Sequence, residues 1–422
     1  MINSCRLDNG LTLVHLEDNT TQMVATNVLY RVGSADEDPN HTGLAHLLEH
    51  LMFGGSENAP LFDPPLENAC GENNAFTNND YTDYYITLPA AYIETALFLE
   101  SDRMTRLVLT PHTLEVQRKV VMEEFKLHYI NQPYGDMAHL LADLIFPEGP
   151  YHWPTIGLKL SHIEEVDLST VQDFYHRFYA PSNAILTIVG NISWERTQSL
   201  AHKWFGQLPS PRYGALPPSG GSWRGALTLP PSGGSRRGAV HRPVPNDVLV
   251  AAWLAPSAFD GRLRAFDLVS DLLATGKSSR LYHTLIDRRQ LALSVDAYIL
   301  PRLGQSNLFI EIVPAEGVST QTVEEALHEE MDRLLAQPVP RRELEKVKNR
   351  FETNLAAQRD NCQNIAQQIA WYTLLGDPQL YYTDLQHYRA LTPATLLRDV
   401  ADDLSWDRVR LLHYLKNEEV CE

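Results

Sequence analysis

Two kinds of apolar spacing alternate along the chain. LTLVHLE (11–17) and MVATNVLYRVG (23–33) carry apolar residues at strand spacing, and DVLVAAWLAP (247–256) does so in the second half. A period near two predicts strands. Each opening leads into an apolar helical stretch, GLAHLLEHLMF (43–53) in the first half and RAFDLVSDLLAT (264–275) in the second. Both stop at glycine, Gly54–Gly55 and Gly276, a residue that ends helices readily. Further strands, YYITLP (84–89) and SNLFIEIVP (306–314), precede long amphipathic helices. Strands in blocks interleaved with long helices predict an α+β fold in which helices cover one face of a sheet. The two halves share this plan, so two similar domains are expected.

Residues 214–239, GALPPSGGSWRGALTLPPSGGSRRGA, break the pattern. The unit LPPSGGS occurs at Leu216 and again at Leu229, a step of 13. Proline and glycine dominate and no apolar period survives, which predicts a linker. The expected organisation is therefore a first domain over 1–210, a linker over 211–243 and a second domain over 244–422. Arg224, Arg236 and Arg237 make the linker basic within an acidic chain.

The chain has 422 residues, 44% hydrophobic and 21% charged, which is globular composition with room for two or more domains. With 35 basic against 53 acidic residues the formal charge is −18. Such a surface repels nucleic-acid phosphates and tolerates basic peptides. No apolar run approaches the roughly 18 residues that span a bilayer, and MINSCRLDNGLTLVHLEDN has no signal-peptide pattern. Cys5, Cys70, Cys362 and Cys421 are scattered, without CxxC spacing. They read as reduced thiols of a cytoplasmic protein, or of a periplasmic one if the N-terminus was trimmed.

The chemistry begins in the first apolar helix. His46 and His50 are four residues apart and share a face, with Glu49 at its edge. Two imidazoles one turn apart suit Zn2+, and an adjacent carboxylate can take a proton from water. A third ligand has to come from another helix. TPHTLEVQRKVVMEEFKLHY (110–129) predicts one, with Thr110 as N-cap and Pro111 at the first position. Val120, Val121, Phe125 and Tyr129 mark its expected buried stripe, and Glu124 points with that stripe. Glu123 is expected to pair with Lys119 in solvent. A carboxylate on a buried stripe needs a partner or a metal, so Glu124 is the better ligand.

GLAHLLEH followed about 74 residues later by VVMEE resembles the pitrilysin/insulinase family of inverted zinc peptidases, which includes mitochondrial processing peptidase. VGSADEDPNHTGLAHLLEHLMFGGSEN, GENNAFTNNDYTDYY, YAPSNAILTIVGNIS and LATGKSSRLYHTLIDRRQLALSVDAY extend the resemblance over most of the chain apart from the repeat. The resemblance implies that helices cover a mixed or antiparallel sheet in each domain. It further implies His46, His50 and Glu124 as zinc ligands, Glu49 as general base, and Asn74, Ala75, Phe76 and Thr77 as the edge strand that receives a peptide substrate.

Two positions depart from the family's pattern. A second glutamate is expected seven residues before Glu124, where this chain has Gln117, still on the metal-facing side. The family's arginine and tyrosine, which hold substrate and stabilise the oxyanion, correspond to Ile286 and Leu293. Neither can donate a hydrogen bond, and the nearest arginines are Arg288 and Arg289. The resemblance is therefore to the zinc-bearing subunit of a bacterial two-subunit peptidase, whose homologous partner (or a second copy of this chain) supplies the missing pair. A non-catalytic peptide-binding or scaffold subunit is the alternative. His139, His152 and His162 have no i,i+4 partner and read as structural, and Tyr151 and Trp153 as wall or core residues.

Overall fold

The computed structural model describes residues 1–209 and 236–417. The repeat predicted as linker lies outside them, except for its last residues. Those form a strand, and two compact units emerge. One comprises the described residues within 1–128, 149–220 and 356–382, and the other those within 129–148, 221–355 and 383–422.

The first unit holds β1 (Asn3–Arg6), β2 (Thr12–Glu17), β3 (Met23–Tyr30), β4 (Glu72–Thr77), β5 (Thr82–Pro89) and β6 (Ala184–Gly190). They form a sheet in the order β1-β2-β6-β3-β5-β4. The β2/β6 pair is parallel and the other pairs are antiparallel. AILTIVG of β6 is buried throughout, as a central strand with both faces covered should be. β4 alternates exposed and half-buried positions, which is what an outermost strand does.

One face of this sheet presents Val24, Val28, Tyr84, Ile86 and Leu88 to the core, where the helix Ile93–Arg106 packs. The other face is covered by the helix Cys362–Leu374, which arrives from the far end of the sequence. There the sheet is partly polar. Asn27 donates to both oxygens of the fully buried Asp83 at 2.8 Å, and Gln367 of the covering helix donates to it at 3.4 Å. Burial drives Asp83 up to about 7 despite these donors.

The second unit holds β7 (Arg236–Arg242), β8 (Val248–Ala255), β9 (Ala292–Leu300), β10 (Ser306–Pro314) and β11 (Arg410–Lys416), in the order β7-β11-β8-β10-β9. Only β7/β11 is parallel. RRGAVHR lacks an apolar alternation, so β7 takes its strand state from pairing with β11 along its whole length. The core packs the helix Leu263–Ala274 and the helix Thr320–Ala336 against Leu249, Ala251, Trp253, Leu308 and Ile310. The α+β reading of two similar sheet-and-helix domains holds.

In the folded chain Asp83 keeps its proton to about pH 7, whereas an unfolded aspartate loses it near pH 4. Folding therefore takes up a proton in that window, and stability falls as pH rises through it. Asp83→Asn should flatten the decline between pH 5 and pH 8 by about 2 kcal/mol relative to the parent chain. Denaturant unfolding at the two pH values measures it, and an unchanged difference would refute the assignment.

Candidate metal centre

The motif helix runs Leu44–Leu51 and buries Leu44, Ala45, Leu47, Leu48 and Leu51. His46, Glu49 and His50 are left on its half-buried face. The helix starts from Gly43 at φ +90, where a Cβ would lie 2.6 Å from the Ile156 carbonyl oxygen. Both the left-handed backbone and the close approach require glycine. Beyond its C-terminal end, Phe53 packs with Phe62 and Tyr84 around the buried Arg103 guanidinium, which Glu100 neutralises.

The second helix begins as expected, with Thr110 Oγ1 accepting from the Thr113 N–H at 3.1 Å and Pro111 following. It ends at Phe125 and continues as a π-turn, Lys126–Ile130. Its buried stripe is Leu114, Val121 and Phe125. Two expectations are corrected here. Val120 is 47% exposed and Tyr129 only half-buried, because the stripe lies one position further round the helix. Glu124 consequently sits at the border of the stripe. Lys119 pairs with Glu115 at 3.1 Å and Glu123 with Lys126 at 2.7 Å. Glu four residues before Lys is the better orientation on a helix, so Lys119 turns away from Glu123.

Helix meets helix at three side chains. His50 Nε2 lies 3.4 Å and His46 Nε2 3.9 Å from Glu124 Oε2. The three ligand atoms fall within 4.8 Å of one another, and among the described residues no other three His, Cys, Asp or Glu side chains are so arranged. Burial, with His50 beside it, pushes His46 down to about 4, against the pull of Glu124. Its imidazole is therefore neutral near pH 7. The His50 hydrogen bond holds the Glu124 carboxyl below its usual range. Ligands about 2.1 Å from a tetrahedral zinc stand about 3.4 Å apart. Two imidazoles and an ionised carboxylate at these separations fit Zn2+ with small side-chain shifts.

Glu49 lies beside the cluster. Thr77 Oγ1 donates to Glu49 Oε2 at 2.6 Å. Burial raises the Glu49 carboxyl, while the Thr77 bond and His50 pull it down. Thr77 ends β4, so the predicted substrate strand and the predicted base are in contact. Asn74 and Phe76 of that strand are exposed, Ala75 half-buried, and the Ala75 N–H donates to Asn74 Oδ1 at 2.8 Å. Gln117 is half-buried, two turns before Glu124 on the same helix.

Of the positions predicted to lack donors, Ile286 packs half-buried against the second unit's core and Leu293 is 60% exposed on β9. Arg289 is engaged by Glu329 at 2.7 Å, and Arg288 is exposed. His162 Nδ1 contacts Thr42 Oγ1 at 2.8 Å, next to the start of the motif helix. His139 stands edge-on to Tyr129. His152 lies in the turn beside the buried Tyr151 and Trp153.

One residue escaped the sequence reading. Glu37, in the acidic run SADED, is buried and accepts hydrogen bonds from the main chain at the start of the motif helix. An acidic run looks solvated, and only the motif nearby hints otherwise.

Residues 13–143 match the family described as insulinase (peptidase family M16), and residues 165–351 match the family described as peptidase M16 inactive domain. A zinc protease of Helicobacter pylori, PqqE, is 29% identical over 384 residues, covering 89% of this chain and 84% of that protein. The crystal structure of a protease from Helicobacter pylori superimposes with TM-score 0.90 at 25% identity, over 98% of this chain and 99% of that one. A structure from Pseudomonas fluorescens described as a peptidase M16 inactive domain gives TM-score 0.85 at 16% identity, over 99% and 98%, which is a likeness of fold.

Zinc quantified after dialysis should reach about one per chain. His50→Ala and Glu124→Ala should each weaken binding by roughly 100-fold or more without altering the far-ultraviolet dichroism. Full occupancy in both variants would place the metal elsewhere.

Proposed function

The chain belongs to the insulinase family of peptidases, M16, and from that premise we propose that it is the catalytic subunit of a zinc-dependent endopeptidase. The observation that carries this reading is the convergence of His46, His50 and Glu124 beside a glutamate held by Thr77. Neutral His46, His50 and ionised Glu124 would hold the ion. Zinc bound there supplies Lewis acidity to a scissile carbonyl and lowers the pKa of water at the site. Glu49 takes a proton from the attacking water and returns it to the leaving amine. Thr77 fixes one Glu49 oxygen and leaves the other for that proton.

Substrate enters as an extended strand on β4, with main-chain hydrogen bonds along Asn74–Thr77. Such pairing selects peptides in extended form. At the two positions where the resemblance places oxyanion donors, Ile286 and Leu293 have none to offer. A homologous subunit bearing arginine and tyrosine at those positions completes the site. Donors of this kind are typically worth roughly 10²–10³ in rate. Gln117 carries no charge where the resemblance expects a glutamate, and this tunes or weakens activity. The match of 165–351 to a domain described as inactive favours one second reading, a peptide-binding subunit without turnover. No helix among the described residues is long and apolar enough to cross a membrane.

Quenched fluorescent peptides test the proposal. Turnover should be weak for the chain alone and rise roughly 100-fold with an arginine–tyrosine-bearing homologue. In the mixture Glu49→Gln should cut kcat by about 10²–10⁴. Strong turnover by the single chain would refute the split site, and zinc binding without turnover in any mixture would select the second reading. Thr77→Val removes a bond that lowers the Glu49 pKa. Because the base works deprotonated, the acid limb of kcat/KM should move to higher pH, and an unmoved limb would disprove the contact's role.

A further inference from the structure

The motif helix has eight residues and carries His46 in its first turn. A helix this short does not hold itself in water. Its leading N–H groups have no partners within the helix, and its N-cap, Gly43, has no side chain to serve them. The carboxylate of Glu37 does so from outside. Its Oε2 accepts from the Gly43 N–H at 2.9 Å and its Oε1 from the Ala45 N–H at 2.8 Å. A third donor, Trp153 Nε1, reaches Oε2 at 2.9 Å and also contacts the Ser34 carbonyl oxygen at 3.0 Å. Glu37 is only 6% exposed.

The placement is more than a cap. No arginine or lysine pairs with Glu37 among the described residues, so a buried carboxyl group is kept on N–H donors alone. For stability by itself that is an expensive choice: burial pushes the Glu37 carboxyl up to about 8, against the pull of the Ala45, Gly43 and Trp153 N–H donors. What the arrangement fixes is position. Ala45 directly precedes His46, and both oxygens of one carboxylate clamp the main chain on either side of Leu44. His46 Nδ1 is buried without a hydrogen-bond partner among the described residues. Ligand histidines are ordinarily oriented through that second nitrogen. Here nothing described grips the ring from behind, so its direction depends on where the main chain puts it.

We propose that Glu37, braced by Trp153, is a positioning residue for the metal centre: it locks the first turn of the motif helix so that His46 and His50 present Nε2 toward Glu124. The inference rests on the zinc reading above and deepens it. Glu37 touches neither metal nor substrate and acts through the Gly43 and Ala45 amides.

Zinc alone is the probe, titrated into metal-free protein against a chromophoric chelator. Glu37→Gln keeps the shape but offers only one acceptor oxygen, so the three donors cannot all be served. Its zinc affinity should fall 10–100-fold, and the Gly43 and Ala45 amides should exchange faster in the metal-free protein. Trp153→Phe keeps the ring and both main-chain bonds, and should weaken zinc binding by several-fold. Zinc affinity within twofold of the parent in Glu37→Gln, with only a lower melting temperature, would make the carboxylate merely structural and overturn the proposal. If Glu37→Gln does not fold, an unchanged affinity in Trp153→Phe overturns it and a weakened one supports it. A parent chain that binds no zinc defeats the metal reading and this inference together, an outcome distinct from loss or retention in the variants.

Discussion

Two imidazoles and a carboxylate have to share a few ångströms without neutralising one another by a proton. That constraint organises the first unit. If His46 were protonated, the cluster would collapse into an ordinary ion pair with Glu124. Burial keeps the imidazole neutral, and burial in turn requires that the motif helix present its apolar residues to the core on the remaining faces. The same helix is pinned at its start by Glu37 and packed beyond its end by the Phe53–Arg103–Tyr84 stack. The helix that carries Glu124 needs less. It has a Thr110 cap, a three-residue buried stripe, and Glu124 at its border, where side-chain freedom suits a ligand.

The second unit shows the fold without this demand. Five of its strands repeat the order and sense of β2-β6-β3-β5-β4 in the first. The helix Leu263–Ala274 follows β8 as the motif helix follows β3, and it buries Ala265, Phe266, Leu268, Val269, Leu272 and Leu273 with no histidine among them. Its edge strand β9 exposes Leu293, Tyr298 and Leu300 where β4 offers Asn74 and Phe76. One scaffold thus serves twice, as packing alone and as packing around a polar cluster.

The strands and the two helices that meet at the cluster were legible in the sequence because their periods and caps are local properties. LTLVHLE, SNLFIEIVP and the Thr110–Pro111 start each declare themselves within a few residues. His46, His50 and Glu49 were legible because i and i+4 share a face, and Glu124 because a carboxylate beside buried residues needs a reason. What stayed hidden depends on distant pairing. β7 exists because β11 lies beside it. Val120 faces outward because of how its helix is rotated against its neighbours, which no local pattern records. Glu37 sits in a run of acidic residues and acquires its role from Trp153, over a hundred positions away.

The helix Cys362–Leu374 covers one face of a sheet whose strands all lie before residue 191, and residues 129–148 belong to the other unit. Neither unit is a continuous stretch of chain. On the ribosome the first unit therefore waits, with Asn27, Asp83 and Thr187 uncovered, until the helix Cys362–Leu374 has emerged. Contacts of such long sequence separation slow folding and lengthen the exposure of the nascent sheet. A face carrying asparagine, aspartate and threonine tolerates water during that delay better than an aliphatic one would.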